Sequence, residues 1–197
     1  HIVCHKKFAI NEDDTAKSLF DKSAEASAAL FDEILPKIKS GNAPRHPQDH
    51  SKATYFGGRR PADGEIVWQK PAHDIRNLIR AVTRPYPGAF SYIGDSKYFF
   101  WAASEIKQRR SSKAVPGTIL SLDPLVVACG KDILRIDYGQ ADGGIYMGGA
   151  QMARDFNLVE GIKFGSSASH RAEMATKKKV LILGVNGFIG NFLSERL

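Results

Sequence analysis

Between residues 85 and 147 the chain is cut into short apolar runs by turn-forming pairs: Gly94-Asp95, Pro116-Gly117, Gly130-Lys131 and Gly143-Gly144. Glycine tolerates the positive φ that tight turns require, and proline fixes φ and lacks a donor, so neither favours continuation as helix. The runs left between them predict strands over 90–93, 97–101, 118–122, 125–129, 133–138 and 145–147. Many short strands behind one early helix are expected to form a small closed or partly closed barrel.

That early helix is marked by Ile75, Leu78, Ile79 and Val82, which follow the i, i+3, i+4, i+7 stripe of one apolar face. Pro71 is expected in its first turn, and Pro85-Tyr86-Pro87-Gly88 should stop it. Just before it, Ile66-Val67-Trp68 reads as a short strand. Upstream, residues 2–10 alternate weakly and predict a strand, followed by the polar turn Asn11-Glu12-Asp13-Asp14. Asp13 or Asp14 is the expected cap of a helix carrying Leu19, Phe20, Leu30, Phe31, Ile34, Leu35 and Ile38 near helical spacing. Pro36 should bend it or end its regular part, and Gly41 should close it. Residues 42–54 form a polar connector in which His46 and His50, with Pro47 between them, belong to a loop.

Composition excludes several classes. Apolar residues make up 43% and charged residues 25% of the chain, the balance of a soluble globular protein. No apolar run approaches the ~20 residues of a membrane-spanning helix, and neither end has a secretory signal pattern, so a cytoplasmic location and no membrane partner are expected. Cys4 and Cys129 are far apart and lack a C-x-x-C spacing, which predicts free thiols and no metal site. The net charge of +7 is spread over separate segments, as in solvated loops and a basic linker. The first residues read as the middle of a strand and the last as a helix still in progress, so a fragment of a longer chain is expected.

Residues 165–178 are small and polar, then basic, and read as a linker. Val180-Leu181-Ile182-Leu183 then fits a buried parallel strand, and Gly184-Val185-Asn186-Gly187-Phe188-Ile189-Gly190 follows it directly. In such a G-x-x-G-x-x-G turn the first glycine permits the tight bend from strand to helix. The second lets the backbone approach a pyrophosphate, and the third lets the helix pack on the strand. The pyrophosphate would rest against the free amides of the helix start. Gly184, Gly187, Phe188, Ile189 and Gly190 are therefore the candidate NAD-binding residues, and 179–197 the candidate first strand and helix of a Rossmann domain. The acidic residue expected ~20 positions further on would lie past Leu197.

Three segments resemble a known family: Gln48 to Phe56; Asp63-Gly64-Glu65-Ile66-Val67-Trp68 with Pro71-Ala72; and Ile75-Arg76-Asn77-Leu78-Ile79-Arg80-Ala81 with Pro85-Tyr86-Pro87-Gly88-Ala89-Phe90. They look like the C-terminal domain of folate-dependent formyltransferases, a barrel of the oligonucleotide-binding type. Joined through a linker to VLILGVNGFIG, this region resembles the bifunctional polymyxin-resistance enzymes. Those pair a UDP-4-amino-4-deoxy-L-arabinose formyltransferase with a UDP-glucuronic acid oxidative decarboxylase for lipid A modification. The resemblance implies an α/β plus β fold. Residues 1–45 would end the catalytic α/β subdomain, 46–164 would form the OB-like barrel, 165–178 the linker, and 179–197 the start of the decarboxylase. It implies 10-formyltetrahydrofolate as formyl donor, NAD as cofactor, UDP-sugars as substrates and a homo-oligomeric whole protein. The family's catalytic Asn, His and Asp map to no position here, so no catalytic residue is assigned and the chain alone should be inactive.

The competing reading is the tRNA-binding C-terminal module of a methionyl-tRNA formyltransferase-like protein, which basic charge and a barrel suit. The glycine turn after a linker suits only the bifunctional enzyme, so nucleic acid is the less favoured partner. Trp68 and Trp101 are expected in the core. Arg59, Arg60 and Arg80 could take a phosphate or carboxylate as bidentate donors, but sequence assigns none of them to a site.

Overall fold

The computed structural model describes residues 1–107 and 114–165. Helix α1 (Ala16–Lys39) is followed by two short 3-10 turns, His50–Lys52 and Pro61–Gly64, and by helix α2 (Ala72–Val82). Strands β1 (Ala89–Ile93), β2 (Ser96–Ile106), β3 (Ile119–Leu122), β4 (Leu125–Ala128), β5 (Ile133–Ala141) and β6 (Met147–Gly148) come next, then helix α3 (Gly149–Asp155).

The strands form one antiparallel sheet in the order β1-β2-β5-β4-β3, with β6 paired to β5. Gly94-Asp95 makes the two-residue β1–β2 turn, with Ile93 opposite Ser96 and Gly94 at φ 55°, matching the twist that tight hairpins need. The sheet is not closed, because β1 and β3 do not pair with each other. The segment after α3 spans the two edges instead. Gly165 and Tyr92 exchange backbone bonds of 2.7 and 3.2 Å at the β1 edge. At the β3 edge, Phe164 N–H donates to the Gly117 carbonyl at 3.0 Å and Ile119 N–H to the Ile162 carbonyl at 2.8 Å. Edge groups that would otherwise stay unpaired are thus satisfied by a few residues of irregular chain.

The core lies between α2, α3 and the inner face of the sheet. From α2, Ala72, Ile75, Ile79 and Val82 are buried, each large side chain being worth about 1.5–3 kcal/mol of transfer free energy. They meet Phe100, Leu125, Val127, Leu134, Ile136 and Phe164 in one cluster. Pro71 is the residue just before α2 rather than its first helical position. Cys129 is buried and Cys4 half-buried, both as free thiols.

Several expectations change. No strand forms over residues 2–10: Ile2 makes a single bridge to His46, and no other described segment offers it a ladder. Ile66-Val67-Trp68 likewise runs extended without becoming a strand, held by one bridge between Glu65 and Phe90 and the Ile66 N–H donated to Phe90. Thr15, not Asp13 or Asp14, caps α1; it accepts from Ser18 N–H, while Ser18 Oγ accepts from Thr15 N–H. Pro36 does not end α1, which runs on to Lys39. Of the α1 apolar stripe only Ile34 is buried, and Phe20, Phe31, Leu35 and Ile38 are exposed among the described residues. Strands β2 and β5 run past their predicted ends, and β6 is offset from 145–147 to Met147–Gly148. Helix α3 was not foreseen; it is seven residues long, too short for apolar periodicity to stand out. Residues 166–197 lie outside the described region, and with them most of the predicted linker, the predicted Rossmann strand and helix, and Gly184, Gly187, Phe188, Ile189 and Gly190.

Candidate functional site

Four pieces of chain enclose a cavity of about 630 Å³: the turn and first residues of α1, the stretch before and within the Pro61–Gly64 turn, the second half of α2, and the Tyr86-Pro87-Gly88 stop. Its volume falls within the ~300–1,000 Å³ usual for small-molecule sites. Arg59, Arg60 and Arg80 all line it, together with Asn77, Tyr86 and Asp14. The structure therefore brings together three arginines that sequence names but does not connect.

The three do different work. Arg80 is committed to the frame: Nη1 donates to the carbonyls of Asp14 at 2.9 Å and Asn11 at 3.3 Å, and Nε to Asn77 Oδ1 at 2.8 Å. Arg76, one turn earlier on α2, pairs with Asp13 at 2.8 Å. These two side chains fasten the turn before α1 to α2. Arg59 and Arg60 are exposed, and their guanidinium groups have no partner among the described residues. The Arg60 backbone begins the Pro61–Gly64 turn: its N–H donates to Asp63 Oδ2 at 2.7 Å and its carbonyl accepts from Asp63 N–H at 3.0 Å. Two cavity-lining residues thus carry guanidinium forks that no described residue engages.

Asp14 is the cavity's one carboxylate. It is 8% exposed and fully engaged: Lys22 Nζ lies 2.6 Å from Oδ2, Asn11 N–H 2.7 Å from the same oxygen, and Ser18 Oγ 2.8 Å from Oδ1. The Lys22 hydrogen bond, then those from Asn11 and Ser18, lower its pKa from 3.8 to about 2. A carboxylate held ionised this way is no general base near neutral pH; it shapes the α1 start and neutralises Lys22. The rest of the lining is apolar, from Ile10, Leu19, Val82 and Pro87. What this cavity can do is bind an anion that carries an apolar or planar body. Among the described residues no cluster of His, Cys, Asp or Glu could hold a metal, and no helix is long and apolar enough to cross a membrane.

The tryptophans separate. Trp68 is core, stacked on Phe164 at 5.6 Å and edge-on to Phe100 at 5.8 Å, with Nε1 donating to Ser91 Oγ at 3.0 Å. Trp101 departs from expectation. It is half-buried, lies on Phe99 at 5.8 Å, and carries the Arg84 guanidinium over its face at 4.9 Å. It alternates with the buried Tyr98 and Phe100 along β2 and so lies on the face away from the core. Arg84 also covers Tyr146 at 5.1 Å and donates to Gln140 Oε1 at 2.7 Å. Sequence reasoning missed Asp14, Asn77 and Tyr86 as cavity residues. The signal for Asn77 was present, since it sits on α2 three residues before Arg80 and so on the same face.

Comparison with known proteins adds the family. Residues 59–157 match the model for the formyl transferase C-terminal domain. Among solved structures, a multiply substituted variant of HypX from Aquifex aeolicus matches with a TM-score of 0.59 at 15% identity, over 81% of this chain and 28% of that one. HypX from the same organism in complex with tetrahydrofolic acid matches with a TM-score of 0.58 at 14% identity, over 80% of this chain and 29% of that one. At such identities the likeness is one of fold. The chain spans less than a third of the length of these proteins.

Proposed function

This chain belongs to the formyl transferase C-terminal domain family, and from that premise we propose that it forms the rear part of a folate-dependent formyltransferase acting on an amino-sugar nucleotide. The donor is 10-formyltetrahydrofolate. The acceptor amine attacks the formyl carbon, a new C–N bond forms, and the bond to N10 of the folate breaks. The amine loses a proton and N10 gains one. None of the described residues is assigned to that proton transfer; what this chain supplies is binding and support, through the arginine-lined cavity and the frame made by Arg76 and Arg80. The observation that carries the reading is the family match over 59–157.

The finer reading is a bifunctional cytoplasmic enzyme that formylates UDP-4-amino-4-deoxy-L-arabinose and oxidatively decarboxylates UDP-glucuronic acid with NAD, assembled as a homo-oligomer. The sequence Val180 to Gly190 supports it. So does the Lys177–Lys179 approach to it after a small-residue linker. Under this reading the barrel of the oligonucleotide-binding type is the six-stranded sheet with residues 162–165 joining its edges. The test is formyl transfer by the whole protein from 10-formyltetrahydrofolate to the UDP-amino sugar, and NAD reduction with UDP-glucuronate. The isolated chain is expected to do neither. Turnover by the isolated chain, or none by the whole protein with either substrate, rejects the reading.

A tRNA-binding module is the second reading. The net charge of +7, and the outer sheet face where Lys97 lies over Phe90 and Phe99 and Arg84 over Trp101 and Tyr146, favour it. Salt-sensitive retention of tRNA in a gel-shift series would select it.

A further inference from the structure

We infer that Arg84 is a positioning residue for the cavity: clamped against aromatic rings of the outer sheet face, it fixes the loop that supplies the Tyr86-Pro87-Gly88 wall. Two sets of contacts meet in that loop. Toward the cavity, Gly88 lies with Val82 and Gly64 in the lining. Its N–H donates to the Val82 carbonyl at 2.9 Å, and a Cβ added to Gly64 would overlap the Gly88 carbonyl. The same glycine also abuts Trp101, since a Cβ built on it would lie 2.7 Å from two carbons of the indole. Trp101 therefore backs the wall, with no room for a side chain between them. Arg84 ties the loop to this backing. Its guanidinium carbon is 4.9 Å from the centre of the Trp101 ring and 5.1 Å from that of Tyr146. Gln140 Oε1 accepts from both Arg84 Nη2 at 2.7 Å and Trp101 Nε1 at 3.0 Å, and Thr83 Oγ1 donates to the Trp101 carbonyl at 2.8 Å. Tyr146 is in turn stacked on Tyr138 of β5 at 5.0 Å.

Burial does not hold this loop. Of residues 83–88 only Gly88 is buried, and residues 84–87 are all exposed. What remains are two backbone bonds, Tyr86 N–H to the Thr83 carbonyl at 3.1 Å and Gly88 N–H to Val82, and the contacts of Thr83 and Arg84. Losing Arg84 should therefore free the wall without disturbing the core. Amide exchange of the full chain, with no ligand, tests the clamp. Arg84→Ala should speed exchange of the Tyr86 and Gly88 amides at least about 10-fold, with β2, β5 and the unfolding temperature little changed. Tyr146→Ala should move the same amides in the same direction, whereas Tyr146→Phe, which keeps the ring, should not. Arg84→Lys should restore only part of the protection. An ammonium can lie over a ring, but it cannot also present a planar fork to Gln140.

Only the link to the reaction rests on the proposed formyltransferase reading, which takes the cavity as a binding site of that enzyme. In the whole protein, Arg84→Ala should raise KM at least about 5-fold for 10-formyltetrahydrofolate or for the UDP-amino sugar, with kcat within about 2-fold, because binding is weakened and the chemical step is not. Unchanged exchange at Tyr86 and Gly88 in Arg84→Ala overturns the inference. So does faster exchange spread equally over β2 and β5, which would make Arg84 a support of the whole fold. A loosened loop with KM unchanged for both substrates overturns the positioning role and keeps the reaction. A wild-type whole protein without formyl transfer rejects the reaction instead, and exchange at the loop then decides the clamp by itself.

Discussion

Phe164→Ala tests whether the irregular segment after α3 is part of the core or only drapes across it. Phe164 is 0% exposed and makes ring contacts with Trp68 at 5.6 Å, Tyr98 at 5.8 Å and Phe100 at 5.3 Å. Phe→Ala in a core costs about 3–5 kcal/mol, the upper part applying where neighbours cannot collapse into the space. Here they are held. Tyr98 and Phe100 are fixed by the β2 ladder, and Trp68 is pinned by its Nε1–H bond to Ser91 Oγ. Each lost edge or stacked pair adds to the area term. We therefore expect about 4 kcal/mol, a large share of the ~5–15 kcal/mol that holds a domain together. At about 2–4 °C per kcal/mol for a chain of this size, the unfolding temperature should fall by roughly 8–16 °C. Circular dichroism melts and urea titrations measure it, with Val159→Ala, exposed by 53%, as a control expected to stay within about 0.5 kcal/mol. A loss below about 1 kcal/mol for Phe164→Ala would refute the packing argument and leave the sheet's edges joined by hydrogen bonds alone.

Three other outcomes follow from the same structure. Because the Asp14 pKa is lowered to about 2, its contribution to stability is complete above its ordinary value of 3.8 and is lost as pH falls toward 2. Urea midpoints of Asp14→Asn should therefore lie below wild type near neutral pH and converge with it near pH 2; a constant gap across that window contradicts the assignment. Gly149→Ala should destabilise by about 1–3 kcal/mol or more, since an added Cβ would overlap the Ile136 carbonyl and force α3 away from β5; an unchanged melt would show the helix is free to shift. Under the proposed bifunctional reading, Gly187→Val in the whole protein should abolish NAD binding by calorimetry while formyl transfer persists, because that reading puts a pyrophosphate against the second glycine of the turn; retained NAD affinity would reject that part of the reading.

What could be read from sequence was whatever is local and periodic. The α2 stripe of Ile75, Ile79 and Val82 is buried as its spacing requires, and the glycine and proline pairs fall between strands. Residues 2–10 failed because a strand needs a partner, and alternation alone does not supply one. Trp101 failed for a different reason: the expectation weighed its size, whereas strict alternation with the buried Tyr98 and Phe100 puts it on the other face of β2. The α1 cap was misjudged because Asp14 has a better use, accepting from Lys22, Asn11 and Ser18, which leaves the cap to Thr15. The cavity was the least legible feature: residues 14, 59, 60, 77 and 80 meet only once α2 has packed and Arg80 has reached back to the turn.

That construction has an energetic consequence. The cavity's walls come from segments far apart in sequence, and they are joined mainly by Arg80 and Arg76, whose partners are two backbone carbonyls, Asn77 and the exposed Asp13. Exposed or half-exposed polar links of this kind contribute little each, on the order of 1 kcal/mol, so the α1 end should open more readily than the sheet core. Amide exchange measures that difference. Amides of residues 16–24 should exchange faster than those of β2 and β5, whose ladder backs the buried cluster, and Arg80→Ala should speed exchange at the α1 start further while leaving the sheet little changed. Equal protection of the α1 start and the sheet in the wild-type chain would show that α1 opens only when the whole domain unfolds.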